Sequence, residues 1–234
     1  MNRHSLKAIS LLSAGILSFT PCATSWSAEQ SIEALAISRV LEISPNSNSS
    51  QLSVLGTQLG PASLGFEGLK LVAVGDNSAR PLGLYLVALP ACGDSVVFNE
   101  TAPAFYGEVA ELEPFGGSVT KFNKLAAELK PQLNQDNIDE YITFFLSISC
   151  GMRPIDKDKY ARDSLLRRLI QWKVVGLEER LIGLETSMVD TGWRFEMSFG
   201  DSGGYIFYSS GRVNGTGRIS IDATERIAKG MPIR

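Results

Sequence analysis

The chain has 234 residues, with 22 Lys+Arg against 25 Asp+Glu, a net charge of −3 and a single histidine. That length can bury a real core as one domain or two small ones, and a composition 44% hydrophobic and 20% charged excludes a disordered chain. An acidic balance with no basic stripe excludes nucleic acid as a partner, because Arg167-Arg168 has nothing beside it to extend its field.

Residues 1–28 have the three parts of a secretory signal: basic Arg3 and Lys7, an apolar run from Ala8 to Phe19, and small residues ending in Ser25, Ser27 and Ala28. The run is shorter than the roughly 20 apolar residues of a spanning helix, and no later stretch reaches that length without charges. The expectation is a cleaved leader and a soluble chain that is periplasmic or secreted, with no transmembrane segment. Cys22 stands where a lipidated cysteine would, but Pro21 occupies the position where a lipobox carries a small residue. Arg3, Lys7 and His4 leave with the leader, so the exported chain is more acidic and contains no histidine. Residues 29–234 read as a single α+β domain, with a division near 116 as the alternative.

From 32 to 115 the pattern is mostly β. "ISRVLEIS" and "QLSVLGTQL" flank the turn-rich "PNSNSS" and read as a hairpin; "LKLVAVG" and "LGLYLVALP" read as two apolar strands joined by "DNSARP". From Ser118 the period becomes helical, with Phe122, Leu125, Ala126, Leu129 and Leu133 on one side until Pro131 ends the helix. A second helix, capped by Asp136 or Asn137, runs through Ile138, Tyr141, Ile142 and Phe145, although "YITFFLSIS" also suits a buried strand. Residues 157–173 read as a third helix. "RLIGLETSMV", "WRFEMSF", "YIFYSSGRV" and "RISID" then form a meander punctuated by "DTG", "GDSGG" and "NGTG". Alternation of Trp193, Phe195, Met197 and Phe199 against Arg194, Glu196 and Ser198 gives this meander one apolar face, which the preceding helices would cover. The fold class is therefore α+β, a β-rich N-terminal half followed by two or three helices packed on a C-terminal antiparallel β-meander. Helices followed by a curved meander is an order similar to the cone-shaped folds related to nuclear transport factor 2, a resemblance of architecture in the last half alone.

Gly200-Asp201-Ser202-Gly203-Gly204 resembles the nucleophile pentapeptide of trypsin-like serine proteases, and its Gly-Asp-Ser resembles the nucleophile block of the esterases named for that tripeptide. Both chemistries take the serine proton with a histidine. The only histidine is His4, inside the leader, so neither triad can be assembled, nor can a Cys-His pair or a histidine-bearing zinc site. The glycines suit a hairpin loop instead. Ser118-Val119-Thr120-Lys121 resembles the Ser-x-x-Lys of penicillin-binding enzymes, but the companion Lys-Thr-Gly is absent, and Ser118 as a helix N-cap accounts for the same letters. Asp156-Lys157-Asp158 lacks the glycine and distal glutamate of a calcium loop. No catalytic residue, metal site or cofactor is assigned.

Cys92 and Cys150 survive processing and are expected to form a structural disulfide in an oxidising compartment. Asn48, Asn99 and Asn214 begin Asn-x-Ser/Thr triplets, of which Asn214-Gly215 also suits a tight turn. These features point to an exported, non-enzymatic binding or accessory protein acting on an envelope protein partner, such as an assembly or immunity factor. The alternatives are a small-ligand carrier, with a pocket between sheet and helices lined by Trp193, Phe195, Tyr205 and Phe207, and a histidine-free hydrolase.

Overall fold

The structure is a computed structural model and describes residues 31–78, 83–100, 114–155, 180–200 and 206–228. The expected leader, the expected helix at 157–173, Ser202 and Tyr205 lie outside these residues. The described chain runs α1 (Ile32–Ile43), β1 (Leu52–Leu59), β2 (Lys70–Asp76), β3 (Gly83–Leu89), β4 (Val96–Glu100), α2 (Ser118–Leu129), α3 (Ile138–Cys150), β5 (Arg153–Pro154), β6 (Glu185–Val189), β7 (Gly192–Gly200), β8 (Ile206–Asn214) and β9 (Ile219–Ala228). Strands dominate an α+β architecture of two antiparallel sheets, ordered β1-β2-β3-β4 and β5-β7-β8-β9, with β6 also pairing β7.

The first correction to the sequence reading is α1. Ser31 caps it, its Oγ accepting the Ala34 N–H at 3.1 Å, and Glu33 places an acid in the first turn. Ile32, Ala36 and Val40 recur four apart, and Ala36 and Val40 are fully buried. A strand was expected because the β-branched Ile37, Val40 and Ile43 dominate the local window. The cap and the four-residue period lie largely upstream of that window.

Helix α1 covers one face of the first sheet. Strands β2 and β3 are apolar on both sides: Val72, Val74, Tyr85, Val87 and Leu89 pack with α1, while Leu71, Leu86 and Ala88 point the other way. This second face joins Val96 and Phe98 of β4, the helices α2 and α3, and the inner face of β7–β9 in one continuous core. The layers are thus α1, first sheet, α2 with α3, second sheet. Sandwiching α3 between two sheets explains why it is apolar nearly all round, with Ile138, Tyr141, Ile142, Phe144, Phe145, Leu146 and Ile148 all buried.

The meander follows the expected faces except at Ser198, which is fully buried where its N–H and Oγ bond the backbone of Ile182. Trp193, Phe195, Met197 and Phe199 enter the core, and Phe207, Val213 and Ile219 join them from β8 and β9. The outer face carries the exposed pairs Arg194–Glu196 and Arg212–Asp222, each 3.2 Å apart, which contribute little stability in high dielectric. Gly200 of β7 stands opposite Ile206 of β8. The pentapeptide that begins at Gly200 therefore joins two paired antiparallel strands.

Candidate functional site

Of the aromatics named for a ligand pocket, Trp193, Phe195 and Phe207 are core side chains, and Tyr205 lies outside the described residues. Phe195 and Phe207 are fully buried, Phe207 stacks on Phe199 with ring centroids 5.6 Å apart, and Trp193 is buried in the same cluster. The indole N–H of Trp193 meets no acceptor among the described residues.

The expected Cys92–Cys150 bridge is not formed. Cys92 is exposed in the turn after β3, whereas Cys150 ends α3 half-buried, its Sγ–H directed to the Leu146 carbonyl at 3.2 Å. Ser118 is the first residue of α2, and Gly117 is its N-cap. Among the described residues no three His, Cys, Asp or Glu side chains converge as a metal site would require.

Two surfaces stand out. The first is an open groove of ≈ 690 Å³ between the exposed side of α2 and the β8–β9 turn, lined by Thr120, Asn123, Lys124, Lys130, Thr216 and Arg218 among others. Three of its lining residues are cations and none is a carboxylate. Its walls are braced from beneath. Asn123 Nδ2 donates to the Ile219 carbonyl at 2.8 Å and its Oδ1 accepts the Ile219 N–H at 2.7 Å, so one amide extends the strand pairing of β9 into the helix. In the turn, Asn214 Oδ1 accepts from the amides of Thr216 and Arg218 at 3.0 and 2.9 Å. Gly217 has φ +82°, and a side chain there would run into Pro131 and the Tyr141 hydroxyl.

The groove's cations differ in their surroundings. Lys124 Nζ bonds Asp94 Oδ2 at 2.9 Å, and that hydrogen bond, with the charge behind it, holds the Asp94 carboxyl below the usual carboxylate range. Lys130 takes φ +50° at the end of α2, the one non-glycine residue with positive φ among the described residues. That conformation costs roughly 1–2 kcal/mol for a residue with a Cβ. Pro131 accounts for its departure from the helical region, but a glycine there would satisfy the turn at lower cost.

Tyr141 secures the floor, its hydroxyl donating to the Gly217 carbonyl, and burial raises its pKa above the ordinary tyrosine range. The folded state therefore holds this proton more tightly than the unfolded chain. The stability it contributes is complete below about pH 10, the ordinary tyrosine value, and is lost as pH rises beyond it. Tyr141→Phe is expected to cost about 1 kcal/mol at neutral pH, from the orphaned carbonyl. It should also flatten the fall in urea midpoint above about pH 10; an unchanged alkaline slope would refute the assignment.

The second surface is the free edge of β1. Among the described residues no strand pairs with its outer side, and Leu55 and Leu59 are 56% and 64% exposed. Its sequence, LSVLGTQL, contains no charge and no proline. The opposite extreme of the fold, β9, carries Asp222, Glu225 and Arg226 on a strand interrupted by register shifts, the usual protection of an edge. On β1 the only such device is the irregularity between Val54 and Gly56.

Comparison with known proteins adds no relative. No family model matches the chain, no curated protein matches it in sequence, and no solved structure matches it in fold. The likeness of the second half to cone-shaped folds accordingly remains one of element order. No helix among the described residues is long and apolar enough to cross a membrane.

Proposed function

We propose that the chain is an exported, non-catalytic binding protein that takes an extended segment of an envelope protein, as an assembly or immunity factor would, onto the edge of β1. The observation that carries this reading is an uncharged edge strand whose residues 55–59 are all exposed, Leu55 and Leu59 among them. An added strand satisfies the edge's outward N–H and C=O groups, and side chains alternating along that strand would find the exposed leucines. The export signal expected in residues 1–28 and a sole histidine within it agree with a binding role in the envelope.

Thr57 and Leu59 are both exposed, so the pair Thr57→Lys and Leu59→Lys places edge-blocking charge where packing is not disturbed. The pair should move stability by no more than about 0.5 kcal/mol. It should also abolish capture of the partner from an envelope extract and its photo-crosslinking to a probe at the exposed position 58. Undiminished capture would overturn the reading. So would a dimer of the isolated chain, by sedimentation, that the same pair converts to monomer, because the edge would then belong to a second copy.

A further inference from the structure

We infer that the groove between α2 and the β8–β9 turn is a separate binding site for a small ligand bearing a dianionic phosphoryl group. The inference is independent of the β1 edge and would survive its failure. The groove's ≈ 690 Å³ lies within the usual range for small-molecule pockets, roughly 300–1,000 Å³. Its chemistry is one-sided: Lys124, Lys130 and Arg218 bring positive charge, Thr120 brings a hydroxyl, that of Thr216 being held by Asn214 Oδ1 at 2.8 Å, and no acid lines it. Such a concentration of cations runs against the chain's net charge of −3. Lys124 is paired with Asp94, but Lys130 and Arg218 stand in a groove whose lining holds no acid, and an anion there would complement their charge.

Two details separate a built site from a chance cluster of surface cations. Lys130 keeps a left-handed backbone that glycine would adopt without strain, and in doing so retains a charge at the groove. Both walls are also fixed before any ligand arrives, through the Asn123 pairing with Ile219 and the contact of Tyr141 with Gly217. Fixed donors bind an anion without first giving up their own freedom. Arg218 supplies a planar fork suited to two phosphoryl oxygens, Lys130 a point charge for the third, and Lys124 a charge held in reserve on Asp94.

The test is an amide chemical-shift titration of the chain with inorganic phosphate and with phenyl phosphate, using chloride at matched ionic strength, succinate and an oligoglutamate peptide as comparison arms. Saturable shifts are expected at Lys130, Gly215, Thr216 and Arg218 with both phosphates, and phenyl phosphate should bind more tightly because the groove also holds its ring. Arg218→Gln and Lys130→Gly should each weaken binding roughly tenfold, the loss of one charge-assisted contact. Lys130→Gly should at the same time raise the thermal midpoint by relieving the left-handed residue, which a purely structural lysine would not combine with weaker binding. Asp94→Asn should strengthen binding by releasing Lys124. The inference is overturned if chloride reproduces the shifts, if the variants leave them unchanged, or if succinate or oligoglutamate binds more tightly than phenyl phosphate. The last result would make the groove a site for carboxylates.

Discussion

Phe145→Ala is expected to lower the unfolding free energy by about 3–5 kcal/mol, a large part of the ~5–15 kcal/mol that holds a domain of ordinary stability. Phe145 is fully buried midway along α3, with its ring 4.9 Å from Phe122 in an edge-to-face pair and 5.3 Å from Phe115 in a stack. The cavity left behind would lie in the layer between the two sheets, where closing it requires one sheet to approach the other. The transition in guanidinium chloride should shift to lower denaturant with its slope retained, since the surface exposed on unfolding hardly changes. The core around Phe145 draws on both halves of the sequence, so fluorescence and circular dichroism should report one coincident transition. A loss below about 1 kcal/mol would mean that the layer collapses freely around the missing ring.

Gly211→Ala should be nearly as damaging, by about 3 kcal/mol or more, through crowding instead of a void. Gly211 stands in β8 opposite Phe195 of β7 and Ile221 of β9, where the β8–β9 register slips. A methyl group there would meet the Phe195 ring at 2.6 Å and press still closer on the Ser220 carbonyl oxygen of the neighbouring strand. A strand carbonyl cannot retreat without breaking the ladder it belongs to. The informative contrast is Gly56→Ala on β1, where a methyl group would meet nothing within 4 Å. That substitution should be neutral or raise stability by about 0.4–1 kcal/mol through the unfolded chain. Thermal midpoints of the two variants, measured side by side, check the contrast; equal midpoints would contradict the packing described for β8.

Much of the architecture is legible in the letters because local pattern and tertiary burial agree. Phe122, Leu125 and Ala126 face the core at the spacing that suggests α2, Pro131 follows its end, and the meander's alternating aromatics enter the core from β7 as the period of two requires. For α3 the sequence is double-valued, since a helix buried on all sides and a buried strand are both apolar runs. Its length and its acidic first turn, Asp139 and Glu140, favour the helix. The miss at α1 has the opposite origin, a β-branched window winning over a cap and a weak period. The groove was not legible because its lining comes from residues 120–131 and 215–218, which share no motif and meet only when Asn123 pairs with Ile219. A lysine directly before Pro131 was the single local signal, because a residue in that position is pushed out of the helical region. Trp193, Phe195 and Phe207 read in the letters as ordinary core with a pocket lining as the alternative, and the core between the two sheets takes all three.

The placement of α3 also constrains the order in which the chain can acquire structure. The first sheet and strands β6–β9 of the second are meanders of sequence neighbours, so their strands close through short loops at small entropic cost, and β5 alone pairs a strand, β7, that does not follow it directly. The helix layer lies between them in sequence as well as in space. Once β1–β4 and the two helices have assembled, one side of α3 still faces solvent, and Phe145 and Tyr141 wait for β7–β9, the last strands described, to arrive. A chain made from its N-terminus therefore presents a sticky, half-built surface until its final strands are complete. The interval before those strands close is when a holding chaperone would have most to grip, and when the molecule is most exposed to aggregation.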